Sequence, residues 1–295
     1  MTTPYLRPCN LCGEQRAIRP LFERYSCTIV QCQVCSLVYT NEIPSRTEIE
    51  ATYDANYYDK GVKYAELSKS VGLINAEQRV TRLLLDANVK RDQWLDVGCA
   101  TGEFISEARQ MVKEVYGVEI SAYAVNIAKE RGIEGITVGD FLEAECDHNK
   151  FDLISMWDVI EHLPDPASNL KHAFQLIKPG GYLVLSTGDI TSITARLFGR
   201  FWHLMTPPEH QYFFSPFTIK RMLSSCGFNL VSIKHNNKRV PLDFMVQKVT
   251  HLLYPAATKR ILQLATWLEL DRIVPTVNFG DIMDVTARKP VNQIG

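Results

Sequence analysis

Short, unbroken apolar runs alternate with amphipathic stretches through the middle of this chain. The runs occupy 94–97, 114–118, 135–138, 151–156 and 181–186. Apolar runs this short, bounded by turn residues, predict strands buried on both faces. The stretches 104–111, 122–131 and 167–177 between them carry helical spacing. Upstream, 64–88 also reads as a helix, because Val80, Leu83, Leu84 and Ala87 fall at i, i+3, i+4 and i+7. Such alternation predicts an α/β fold with a parallel sheet and helices on both faces. Lys178-Pro179-Gly180-Gly181 predicts a helix stop and then a turn.

After 186 the alternation loosens. Residues 189–214 are irregular and aromatic, with Phe198, Phe201, Trp202, Tyr212, Phe213 and Phe214. Ser215-Pro216 then predicts the start of a helix reaching Cys226. A strand is expected over 228–234 and a last one over 279–289. Residues 243–272 are apolar and read as a helical insert interrupted by Pro255. For the aromatic stretch, core packing or a substrate lid is preferred over contact of Leu197-Phe198-Gly199-Arg200-Phe201-Trp202 with a membrane surface.

The first forty residues differ in kind. Cys9-x-x-Cys12 and Cys32-x-x-Cys35 stand nineteen residues apart. Two such knuckles can supply four thiolates to one tetrahedral zinc. A segment this short has little core of its own, so the metal would be its organiser. Four sulfur ligands leave no open position, so the zinc would be structural. The expected division is a zinc ribbon over 1–40, a linker and active-site cover over 41–63, and a catalytic domain over 64–295. The linker is rich in tyrosine and acid, including Tyr57 and Tyr58.

Chemistry concentrates at Asp96-Val97-Gly98-Cys99-Ala100-Thr101-Gly102-Glu103. A strand runs here into a glycine-bearing bend and a helix start. Gly98 and Gly102 allow a sharp turn and close approach to a ligand. A dinucleotide fingerprint needs glycine at 98, 100 and 103, and only the first is met.

The segment resembles the cofactor loop of class I methyltransferases that use S-adenosylmethionine (SAM), with Ala100 in place of the middle glycine. The resemblance covers about 75–235 and is completed by the last strand. It implies a doubly wound, mostly parallel seven-stranded sheet. It also implies cofactor contacts from Asp96, Gly98, Cys99, Ala100 and Gly102. At the second strand, Glu119 would hold the ribose hydroxyls, with Ile120 beside it. A carboxylate can accept both hydrogen bonds of a vicinal diol. At the third strand, Asp140 would meet the adenine amino group and Phe141 would pack on the ring. Trp157 and Asp158, at the end of the fourth strand, would border cofactor and substrate.

The segment from Trp202 to Ser215 is similar to one in bacterial methyltransferases that carry an N-terminal zinc ribbon, including enzymes acting on nucleotide-linked sugars. That likeness implies Glu209 and His210, with Tyr57 or Tyr58, as acid/base groups. His162 is the lesser candidate. It also implies a small polar acceptor, a sugar or nucleotide-sugar, and a place in polysaccharide biosynthesis. The alternative is an RNA-modifying methyltransferase gripping nucleic acid with the ribbon, where Arg7, Arg16, Arg19 and Arg24 lie. A formal net charge of −1 gives no bulk attraction to nucleic acid or an anionic bilayer. No leader-like or membrane-spanning run is seen, so a cytoplasmic location is expected.

Overall fold

The computed structural model describes residues 6–52, 62–86, 89–240 and 258–291, together with 242–243, 245–246 and 250. Tyr57 and Tyr58, with the rest of 53–61 in the linker, and 244, 247–249 and 251–257 of the expected insert lie outside the described residues.

A seven-stranded sheet forms the centre. Its strands are β4 (Gln93–Val97), β5 (Glu114–Glu119), β6 (Ile136–Val138), β7 (Phe151–Trp157), β8 (Ile177–Gly188), β10 (Asn229–Lys234) and β13 (Ile282–Arg288), in the order β10-β13-β8-β7-β4-β5-β6. Strands β6, β5, β4, β7 and β8 pair in parallel, whereas β13 runs antiparallel to both β8 and β10. This is the class I methyltransferase architecture, with the last strand inserted next to the fifth.

The strands form where the apolar runs fell because both sheet faces are covered. Leu95, Val97, Ile154, Met156, Leu183 and Leu185 face one core. Trp94, Leu153, Tyr182 and Val184, one residue out of phase, face the other. The period of two thus divides each run between two cores. The first core takes Leu170 and Ala173 from α5 (Pro166–Leu176) and Ile219 and Met222 from α7 (Pro216–Ser225). The second takes Ala76, Val80 and Leu83 from α2 (Val62–Asp86) and Phe104 and Ile105 from α3 (Glu103–Ala108). The remaining helices of the central part are α4 (Ala122–Glu130) and α6 (Ile193–Phe198). Ser215 caps α7 as expected, its side chain accepting from the Thr218 amide.

One expected turn is absent. Lys178-Pro179-Gly180-Gly181 lies within β8, which begins directly after α5. The register slips between Phe151 and Leu153, so the chain bulges there without leaving the sheet. Gly180, at φ +80°, supplies the left-handed residue, and its amide donates to Lys289 O at 2.9 Å. A side chain at Gly181 would come within 2.9 Å of the Asp152 carbonyl. The glycines serve strand packing here.

The cysteine-rich segment is bound into the rest of the molecule. Strands β1 (Ile18–Arg24), β2 (Cys27–Cys32) and β3 (Val38–Thr40) form an antiparallel sheet, and its fourth strand is β9 (Tyr212–Phe213). Val38 pairs with Phe213 and Tyr39 with Tyr212. Cys9, Val30, Leu37 and Tyr39 belong to the same core as Leu95 and Phe151. Arg7 fastens the joint. It is 7% exposed, its Nε donates to Thr40 O at 2.6 Å, and its Nη1 donates to Tyr212 Oη at 3.1 Å. The guanidinium lies over the rings of Tyr39 and Tyr212, at 4.8 and 4.9 Å from their centroids. Tyr212 Oη donates in turn to Pro164 O at 3.1 Å. Within the expected linker, α1 (Arg46–Thr52) forms and reaches the catalytic part through Arg46, which pairs with Glu143 at 2.6 Å.

Arg7→Ala removes two hydrogen bonds and two ring contacts from a buried site. We expect a loss of about 2–4 kcal/mol in denaturant unfolding. Lysine at this position should recover little, because it cannot keep the planar stack and both donors.

Candidate active site

Every candidate cofactor residue sits at, or just past, the carboxyl ends of β4, β5, β6 and β7, where ligands bind in open α/β sheets. The bend after β4 is tightly made. Gly98 N donates to Val118 O at 2.8 Å, and Gly102 N donates to Cys99 O at 2.9 Å. Gly98 lies at φ +68°, and a Cβ there would stand 2.5 Å from Val159 Cγ2. Ala100 holds φ +47° in the left-handed region, where glycine is the easier residue. The Cys99 side chain is 5% exposed, so this residue presents its main chain to the bend.

Two buried carboxylates support the bend. Asp96 is 2% exposed and accepts from Ser155 Oγ at 2.6 Å. Burial pushes its pKa up to about 7, against the pull of that hydrogen bond. Glu119 accepts from Ala100 N and from Ser121 N, each at 2.9 Å. Burial raises its pKa as well. Two of its roughly four acceptor positions are thereby used, and the others can serve a diol. Ile120 follows, half-buried. Asp140 accepts from Leu142 N at 2.9 Å and caps a short 3-10 turn. The Phe141 ring does not stay at this rim as expected. It is 4% exposed, part of the first core, and edge-on to His172 at 4.8 Å. Leu142, 41% exposed, is the apolar side chain left at the corner.

Trp157 and Asp158 end β7. Asp158 has φ +55° and accepts from Ser186 Oγ at 2.8 Å. It pairs with Arg79 of α2 at 3.0 Å, and the same guanidinium lies 4.5 Å from the Trp157 ring centroid. Sequence reasoning missed Arg79. Its signal was a cation between Ala76 and Val80, on the apolar stripe of α2. Behind Trp157, on the α2 side of the sheet, is a cavity of about 160 Å3 lined by Arg79, Arg82, Trp157, Lys234 and Asp284.

Two histidines from distant segments meet beyond the end of β7. His162 follows β7, and His210 precedes β9. Their rings meet edge to face at 4.5 Å. His162 Nδ1–H donates to the Glu209 carbonyl at 2.9 Å, and His210 Nδ1–H donates to the Leu204 carbonyl at 2.8 Å. A carbonyl only accepts, so both rings carry the proton on Nδ1 and keep a lone pair on Nε2. Burial lowers both pKa values. His210 falls to about 3, with the neighbouring His162 adding to the effect. Glu209, expected as an acid/base partner, reaches this pair through its main-chain carbonyl. One oxygen of buried Glu161 and one ring nitrogen of each histidine lie within 4.8 Å of one another, a spacing that one divalent cation could also share.

The four cysteines of the ribbon converge. Cys9 and Cys35 sulfurs stand 3.4 Å apart, Cys12 and Cys32 stand 3.5 Å apart, and all four lie within 4.8 Å of one another. Tetrahedral zinc–thiolate bonds require edges of about 3.8 Å. None of the cysteines is in a disulfide. Left-handed turns at Gly13 (φ +74°) and Ser36 (φ +64°) fold the two knuckles. Donation from Cys35 pulls the Cys9 thiol down to about 5, and the same bond pushes Cys35 up. The donor set and its spacing therefore fit a zinc ion.

A family model described as "Methyltransferase domain" matches residues 74–233, more than half of the chain. A ubiquinone biosynthesis O-methyltransferase of Alkalilimnicola ehrlichii is 34% identical over 101 residues, covering 32% of this chain and 40% of that protein. One from Leptothrix cholodnii is 28% identical over 149 residues, covering 46% and 63%. The chain thus matches less than two thirds of the length of these curated relatives. Among solved structures, magnesium protoporphyrin IX methyltransferase from Synechocystis PCC 6803 with bound SAH superposes with a TM-score of 0.56. It is 15% identical and covers 83% of this chain and 100% of its own. At that identity the likeness concerns the fold.

The half-buried, desolvated histidine pair makes stability depend on pH. A histidine whose folded pKa is lowered resists protonation, whereas the unfolded chain takes up its proton near pH 6.5. Its contribution is complete above pH 6.5 and declines as pH falls toward about 3. Asp96, shifted upward, acts in the opposite sense over part of that range. A difference measurement separates the two. The stability gap between wild type and His210→Asn should narrow below pH 6.5 by up to about 1.4 kcal/mol per pH unit. A gap that stays constant from pH 7 to pH 4 would show that His210 is not held neutral.

Proposed function

The chain belongs to the methyltransferase-domain family, and we propose that it uses SAM to methylate a hydroxyl oxygen of a small acceptor held against the His162–His210 pair. The observation that supports this reading is the pair itself: two half-buried neutral imidazoles, each with Nδ1 tied to a carbonyl, beside the end of β7.

The cofactor, when bound, supplies an activated methyl group on a sulfonium and leaves as a neutral thioether. The protein's part is to hold, align and deprotonate. Glu119 is assigned the ribose diol, which its two remaining acceptor positions suit. The amides around 98–102 and the Asp140 carboxylate complete the cradle. Asp96 acts from beneath, fixing the bend through Ser155. Arg79 holds Asp158 and covers Trp157, so it orients the wall between cofactor and acceptor.

At the acceptor, His210 Nε2 accepts the hydroxyl hydrogen bond and aligns an oxygen lone pair with the methyl carbon. A weakly basic imidazole suffices. The hydroxyl proton becomes strongly acidic only as the oxygen–carbon bond forms, and it then passes to Nε2. Glu209 fixes His162 through its carbonyl and contributes by position.

The acceptor is the open part of the reading. The relatives named above act in ubiquinone biosynthesis, which favours a hydroxylated ring as acceptor. The sugar or nucleotide-sugar expected from the sequence rests on the family resemblance alone. Cys9, Cys12, Cys32 and Cys35 are assigned a structural zinc, supported by their spacing and by the absence of disulfides.

Two substitutions test the assignment. Glu119→Ala should weaken SAM binding at least about tenfold in calorimetry, the effect of losing a charge-assisted hydrogen bond. Unchanged affinity would remove the ribose role. His210→Ala should leave SAM affinity nearly unaltered and lower turnover about a hundredfold. Full turnover would make the histidine a structural residue only.

A further inference from the structure

The segment after β8 was expected to pack its bulky side chains inward or close over substrate. The structure divides it. Trp202 is 1% exposed, and its Nε1 donates to Asp281 Oδ2 at 3.1 Å. Trp202, Ala195 and Met205 join a small core with Ile29, Val38 and Phe213. Four large apolar side chains of the segment point outward, while Ile190 and Leu204 pack against that core. Ile193 is 83% exposed, Leu197 75%, Phe198 45% and Phe201 51%. Ile193 and Leu197 stand one helical turn apart on α6 and share a face.

This outward face is held in place. Ser192 caps α6 by accepting from Ala195 N at 3.1 Å, and Asp189 accepts from Thr191 N at 2.8 Å. Burial of Trp202 anchors the other end. Across from it, Tyr25 at the β1–β2 turn is 63% exposed. Arg24 bridges the two, lying 4.4 Å from the Tyr25 ring and 5.6 Å from the Phe201 ring. Arg200 also lies on Phe201, at 4.9 Å.

The 190–208 part of this face carries charge of one sign, while Glu23 beside Arg24 is the nearest exposed acid on the β1–β2 side. No Asp or Glu occurs from Ile190 to Pro208, and the segment contains Arg196 and Arg200. Neither arginine makes an ion pair among the described residues. The nearest upstream acid, Asp189, is buried and paired with His235 at 2.9 Å. Exposed aromatic and aliphatic side chains interleaved with unpaired arginines suit the boundary between phosphate headgroups and acyl chains. The net charge of −1 does not oppose this, because attraction to a bilayer acts within a Debye length of the patch.

We propose that the face formed by Tyr25, Ile193, Leu197, Phe198 and Phe201, with Arg24, Arg196 and Arg200, docks on an anionic lipid bilayer. The face leads into the acceptor side, since Leu204, two residues beyond Trp202, supplies the carbonyl that holds His210. Resting on the function proposed above, the acceptor is then an amphiphile whose hydroxylated head is presented at the bilayer surface. No helix among the described residues is long and apolar enough to cross a membrane, so the contact is interfacial.

The test is flotation of the full chain with vesicles of phosphatidylcholine alone or with 30 mol%, roughly, phosphatidylglycerol. Wild type should bind the anionic vesicles about tenfold or more tightly than the neutral ones, and lose that preference as salt rises. Ile193→Ser with Leu197→Ser, and separately Arg196→Glu with Arg200→Glu, should each weaken binding about tenfold. SAM affinity and thermal midpoint should stay at wild-type values, because these side chains are exposed and outside the cofactor cradle. Failure of the Glu119 and His210 tests would leave vesicle binding intact, so the two readings fail separately. Equal binding to both vesicle types, or variants that bind like wild type, would overturn the proposal. So would concentration-dependent self-association abolished by these variants with no vesicle binding, which would give the face to a second copy of the chain.

Discussion

The two main-chain pairs between β3 and β9, Val38 with Phe213 and Tyr39 with Tyr212, bind the segment that follows β8 into the cysteine-rich sheet and so tie that sheet to the central one. Strand β9 has no other sheet to join. It directly follows His210, and Gln211 N donates to Glu161 O at 2.8 Å from the same stretch. The segment is thereby stretched between the end of β7 and the edge of the cysteine-rich sheet. His210 meets His162 because both ends of its strand are held. Arg7, stacked on Tyr39 and Tyr212 and bonded to both sides, resists any slip in that register. The cysteine-rich segment therefore contributes an edge strand that fixes the position of His210.

Electrostatics at the sheet's carboxyl edge follow from the same burial. Glu119 and Asp96 are withdrawn from water and shifted upward, and each is held by donors from the bend or the neighbouring strand. The histidines are withdrawn as well and shifted downward. Low dielectric disfavours the charged form of each group. The result is an edge with little standing charge, into which a sulfonium brings its own. A cation approaching Glu119 and Asp96 favours their ionised forms, and neutral imidazoles offer it no repulsion. The left-handed residues Ala100 and Asp158 sit at this edge, where backbone strain is stored for position.

Much of this was legible in the residues. Four of the five parallel strands lie within a residue or two of the apolar runs, and β8 starts four residues early, because a doubly covered sheet needs no polar alternation. The two cysteine knuckles announced their convergence through spacing. Asp96, Gly98, Glu119 and Asp140, expected at successive strand ends, all lie at the carboxyl edge of the sheet. Other features had no local signal. Strand β9 is two residues long and pairs with a partner more than 170 positions away, so periodicity could not show it. Lys178-Pro179-Gly180-Gly181 has turn composition, and only the neighbouring strands reveal a bulge. Phe141 follows an acidic landmark in sequence, yet its ring finds more contact beside His172 than at the rim. Leu197 and Trp202 looked alike as bulky residues in one run. One is exposed and the other buried because the end of α6 and a 3-10 turn at Gly199–Phe201 lie between them.

Amide hydrogen exchange on Gln211–Phe214 tests the joint between the two sheets most directly. Replacing Cys9 and Cys32 by serine takes one ligand from each knuckle and leaves β9 unaltered in sequence. If the cysteine-rich sheet holds the acceptor segment, these amides lose protection in the variant while those of β4 and β7 keep theirs. Protection of Gln211–Phe214 that persists after the knuckles are broken would contradict the account.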